Sequence, residues 1–85
     1  MKSRIAEELA RDLHTLLKTL KDEATEPEHY DVLKAVAIAE KEAKDGKQPS
    51  ALRSISKEAG KWVIDIAGKI GVSVATEALK KAIGM

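Results

Sequence analysis

Residues 59–75 read Ala-Gly-Lys-Trp-Val-Ile-Asp-Ile-Ala-Gly-Lys-Ile-Gly-Val-Ser-Val-Ala. The fold turns on whether a helix passes through Gly68-Lys69-Ile70-Gly71 or stops there. Before this segment, Leu52, Ile55, Ala59, Trp62, Val63 and Ile66 lie on one arc of a helical projection, with Arg53, Ser54, Lys57, Lys61 and Asp65 facing away. After it, Ile70, Val74, Ala75, Ala78, Leu79 and Ala82 form a second arc. On one straight helix of 3.6 residues per turn, the second arc is centred about 140° round from the first. Each glycine costs about 1 kcal/mol relative to alanine inside a helix. Two within four residues therefore favour a kink or a break. The expectation is a third helix over residues 49–83, kinked at the glycines, with a break at 68–71 and a fourth short helix as the alternative.

Two further helices precede it. Over residues 3–24, Ile5, Ala6, Leu9, Ala10, Leu13, Leu16, Leu17 and Leu20 fall on one arc and charges fill the other, with Ser3 placed to cap the start. Thr25-Glu26-Pro27-Glu28 is a stop and a restart. Thr25 and Glu28 have capping-box spacing, and Pro27 is tolerated in a first turn. The second helix is predicted over residues 27–45, closed by Asp45-Gly46, with Val32, Leu33, Val36, Ala39 and Ala43 inward and Ile38 outward. The connection is so short that the two helices should fold back on each other. The fold class is all-α: a helical hairpin packed on a long, glycine-kinked third helix, making a three- or four-helix bundle.

The chain has 85 residues, with no Phe, one Trp and one Tyr. Such a core is built from Leu, Ile, Val and Ala, and alanines bury little area each. A short chain with an Ala-rich core is marginal unless it associates, so a homo-oligomer is expected. Ala67, Gly71 and Ala75 recur every four residues, a spacing that permits close helix approach. The expected interface is Trp62, Ile66, Ala67, Ile70, Gly71, Val74, Ala75 and Leu79.

Chemistry is sparsely represented. Fifteen basic and fourteen acidic residues leave a net charge of +1, which supplies no strong field for nucleic acid. There is no cysteine, so disulfides and thiolate metal sites are excluded. His14 and His29 stand on different helices without metal-binding spacing. Adjacent acids (Glu7 with Glu8, Asp22 with Glu23) diverge on a helix. Glu40 lies within the apolar arc of the second helix, where burial would raise its pKa; the alternative is a pair with Lys44 at i+4. Ser50, Ser54, Ser56 and Ser73 lack a nucleophile elbow, and Gly68-Lys69-Ile70-Gly71 is not a phosphate-binding loop. No enzyme activity, cofactor, metal or small-molecule substrate is expected.

The function this supports is a non-enzymatic, self-assembling helical interaction module. One alternative is a membrane-active protein whose Lys57–Lys81 segment, mixing Lys, Gly, Trp and aliphatics, lies on or inserts into a bilayer. The remaining alternative is a small DNA-binding regulator presenting Arg53, Lys57 and Lys61. No run reaches the roughly 20 apolar residues of a membrane span. Cytoplasmic residence is expected, with membrane association as the variant. Residues 59–72 resemble the helical C-terminal tails of bacterial toxin-like and phage-defence accessory proteins. That resemblance implies an accessory module for assembly or membrane targeting and assigns no site residue.

Overall fold

The computed structural model describes residues 4–84 and shows an all-α domain of four helices with one 3₁₀ turn: α1 (Arg4–Glu23), α2 (Pro27–Lys44), the 3₁₀ turn (Ser50–Ser54), α3 (Lys57–Ile70) and α4 (Ser73–Ile83). Ser3, the expected first cap, lies outside the described residues. The hairpin forms as the pattern requires. Leu9, Ala10, Leu13, Leu16 and Leu20 of α1 are buried against Val32, Ala35, Val36, Ala39 and Ala43 of α2, and Ile38 faces solvent.

α2 starts at Pro27, but its cap falls one residue later than the capping-box spacing gave. Glu26, not Thr25, is the N-cap, because Pro27 lacks an N–H and takes the first helical position, where none is needed. His29 then occupies the third helical position. Its Nδ1 accepts hydrogen bonds from the backbone N–H groups of Thr25 (3.1 Å) and Glu26 (3.3 Å).

The predicted long third helix is divided twice. At its start, Pro49 leads into the 3₁₀ turn rather than an α-helix. The Glu42 carboxylate holds this turn by accepting from Ser50 Oγ at 2.8 Å and the Ala51 N–H at 3.0 Å. Ile55 is extended, and Ser56 starts α3 as an N-cap whose side chain accepts from the Ala59 N–H. The second division is at Gly71, which has φ 76°. The N–H groups of Gly71 and Val72 both bond to the carbonyl of Ala67, at 3.0 and 3.2 Å. This left-handed cap ends α3, and only glycine adopts its conformation without steric cost. The kinked continuous helix is therefore corrected to two helices. After the break, Ala75 and Leu79 of the second arc reach the core together with Ile83, while Ile70, Val74, Ala78 and Ala82 are only partly buried. Val63, Ala67, Ala75 and Leu79 are all fully buried in that core.

Candidate interaction surface

The N-terminus of α4 is held from another part of the chain. Val72, at its N-cap position, has no side chain able to cap. Asp12, on α1, supplies the missing acceptor: its Oδ2 accepts from the N–H groups of Val74 (3.1 Å) and Ala75 (3.3 Å). A carboxylate at this helix end meets both unpaired donors and the positive end of the helix dipole. Asp12 thereby fixes how closely α4 approaches α1.

Beyond that clamp the two helices leave a cleft of about 700 Å³. One wall is Ile5, Ala6 and Leu9 of α1, the other is Val74, Ala78 and Ala82 of α4, and residues Gly46–Ser50 close one end. The cause lies in the side chains of α4. Ala75, Leu79 and Ile83 take the interior face, and the next stripe round the helix, Val74, Ala78 and Ala82, is only partly covered. Those small side chains do not reach across to Ile5, which is 70% exposed. Exposed charges of both signs line it as well: Glu8 and Glu77, and Lys47, Arg53 and Lys81. The lining between them is predominantly apolar.

The eight residues expected at an interface are dispersed. Ile66, Ala67, Ala75 and Leu79 are buried in the chain's own core, so offering them to a second molecule requires opening the bundle. Trp62 is partly buried, with its ring stacked on His29 at a centroid separation of 3.7 Å and an interplanar angle of 5°. It joins α3 to the start of α2. Ile70 is half-buried against the core and Gly71 is the exposed helix cap. Val74 alone of the eight lines the cleft. The series Ala67, Gly71, Ala75 is not a continuous seam, because α3 ends between its first and last members.

Other polar groups have structural partners. Glu40 is buried within the α1–α2 hairpin, bonded to Lys44 Nζ at 2.8 Å and facing His14 Nδ1 at 3.2 Å. Burial alone pushes its carboxyl up, but the hydrogen bonds from Lys44 and His14 outweigh it and hold the group below its usual value of 4.5. The Glu42 carboxyl is also lowered, first by its hydrogen bond from Ser50 and then by that from the Ala51 N–H. Among the described residues no cluster of three His or acidic side chains is arranged to hold a metal, and no helix is long and apolar enough to cross a membrane.

Sequence spacing alone does not single out Asp12, Ile5, Ala78 or Ala82 as site residues. Periodicity places Ile5 on the buried stripe, whereas in the structure it is 70% exposed. Asp12 acts over 62 residues of sequence, and no local spacing encodes that contact. The one available sign is an α4 start without a Ser, Thr, Asp or Asn at its N-cap.

The molecule is thus a small all-α four-helix domain bearing an apolar cleft between its first and last helices. Compared with known protein families, curated proteins and solved structures, the chain matches none.

Proposed function

We propose that this protein is a non-enzymatic interaction module that associates with itself through the surface around the α1–α4 cleft. The observation that carries the reading is the cleft itself: apolar side chains of two helices left half-covered, with a large aliphatic residue, Ile5, projecting at its edge. A folded monomer gains nothing from an isoleucine in water, whereas burying it against another apolar surface contributes about 1.5–3 kcal/mol. The lining of the cleft is predominantly apolar, with exposed charged side chains among it, a composition that suits a protein contact. A site for chemistry on a small molecule places a few polar groups convergently inside.

Membrane action, the alternative reading, makes a different demand. The Trp62, Val63 and Ile66 face of α3 would have to leave the core to meet a bilayer, at the cost of the packing that holds α3 in place. The cleft needs no such opening.

The test is the solution mass by light scattering over a wide concentration range. Self-association gives a discrete multiple of 9.2 kDa that declines toward the monomer on dilution. A monomer at every concentration refutes this function.

A further inference from the structure

We infer that Asp45-Gly46 is a site of spontaneous isoaspartate formation, held shut by the helix cap into which it is folded. Gly46 has no side chain to shield its backbone nitrogen. The Asp45 carboxyl beside it is exposed and makes no hydrogen bond or ion pair among the described residues. The reaction needs no co-reactant but water. The Gly46 nitrogen forms a bond to Asp45 Cγ, and one carboxyl oxygen leaves as water with the amide proton and the carboxyl proton. Water then opens the five-membered imide at either carbonyl. Cleavage at Cγ restores aspartate. Cleavage at the main-chain carbonyl carbon leaves the chain running through the side chain, one methylene longer, with a free carboxylate on Cα.

The fold opposes the first step. Asp45 has φ −83° and ψ 4°, so the Gly46 nitrogen eclipses the Asp45 nitrogen and must swing about the Cα–C bond to reach Cγ. Two hydrogen bonds resist that rotation: the Gly46 N–H donates to the Ala43 carbonyl at 3.0 Å, and the Lys47 N–H to the Glu42 carbonyl at 2.9 Å. They are the paired bonds of a Schellman cap, closed by Gly46 at φ 76°. The Glu42 carboxylate ties down the far end of the same connection at Ser50 and Ala51. Ring closure therefore waits on opening of the last turn of α2, and the lengthened product cannot rebuild the cap. Residues Gly46 to Ser50 line one end of the α1–α4 cleft, so the modification alters that end of the cleft. The other aspartates lack this combination. Asp12, Asp22, Asp31 and Asp65 lie within helices and precede Leu13, Glu23, Val32 and Ile66, whose side chains crowd the attacking nitrogen. The chain has no asparagine, so deamidation contributes no isoaspartate.

The test incubates the wild-type chain near neutral pH, folded in buffer and unfolded in urea. Isoaspartate is located by proteolytic digestion and chromatographic separation of peptides of equal mass. It should form at position 45 ahead of every other aspartate, and at least about tenfold faster in urea than in the folded chain, the factor expected from the loss of two hydrogen bonds. Asp45→Glu, whose longer side chain would have to close a six-membered ring, should form none there while circular dichroism shows native helix content. Isoaspartate that is absent from position 45 in urea, or no faster there than at the other aspartates, overturns the site. Equal rates in the folded and the unfolded chain overturn the gating by the cap.

Discussion

Gly68 and Gly71 lie three residues apart, and alanine at the two sites should act in opposite directions. Gly68 is in the last turn of α3, exposed, with no atom within 4 Å of the place where a Cβ would stand. Alanine there meets no obstacle and gains helix propensity, a stabilisation of about 1 kcal/mol. Gly71 also has open space around it, but its φ is +76°. A Cβ in that left-handed conformation costs about 1–2 kcal/mol, against which the lower entropy of the unfolded chain returns about 0.4–1 kcal/mol. Gly71→Ala should therefore lose up to about 1.6 kcal/mol. With an unfolding entropy of roughly 2.1 cal/mol/K per residue, the 85 residues convert 1 kcal/mol to a shift of about 5–6 °C. Thermal unfolding followed by circular dichroism should place Gly68→Ala above the wild type and Gly71→Ala below it, with a gap of about 10 °C. Were α3 and α4 one continuous helix, Gly71 would be an ordinary interior glycine and both alanines would stabilise. A Gly71→Ala variant that melts higher than wild type refutes the break, and with it the placement of α4 against α1.

Three other perturbations address the contacts that position the helices. Asp12→Ala strips the acceptor from the Val74 and Ala75 N–H groups and should cost about 1–2 kcal/mol in denaturant unfolding, with Asp12→Asn retaining a large share. Glu40 has a folded pKa below its unfolded value, so its contribution is fully present above about 4.5 and is lost as pH falls through the lowered value. Melting temperature should therefore fall on the acid side of that point, and Glu40→Gln should flatten the decline while lowering stability near neutrality. His29→Ala removes both the α2 cap and the ring stacked on Trp62; it should cost about 1–2 kcal/mol and shift the emission of the single tryptophan, with an unchanged spectrum counting against the stack.

Much of the fold is written locally. The stripe of α1 is strong because Leu recurs at helical spacing opposite a charged face; that of α2 is weaker, carried by Val32 and Val36 and otherwise by alanines, but the two patterns together set the hairpin and nearly all of its buried residues. The ending of α3 is half legible. The two apolar arcs, rotated relative to each other, signal a break as much as a kink, and what decides between them is the backbone conformation at Gly71. The 3₁₀ turn is hidden because Ser56, the true cap of α3, is one of three serines within a few residues of Pro49, and proline draws the boundary to itself. Trp62 is readable as apolar and central but not as core or interface. Its surroundings depend on His29, a residue with no apolar signature that a sequence reading leaves at the surface. Residues 59–72 form most of α3 and its cap, and their pattern follows from the requirements of a packed helix.

The cleft follows from the same economy of side chains that makes the core alanine-rich. Asp12 grips α4 at its first turn, which brings Val74 alongside α1 near Asp12, and α4 then runs toward Leu9 and Ile5. Its eleven residues span about 16 Å, enough to reach the open end of α1 but with only Ala78 and Ala82 on the stripe facing that end. Alanines there allow α4 to lie close while Ala75, Leu79 and Ile83 fill the interior. Larger residues at these two positions would cover Ile5 and close the cleft. The described residues instead leave an exposed aliphatic side chain beside a recess. Stability of the single chain would favour filling it, and the proposed contact with a second molecule would do so instead.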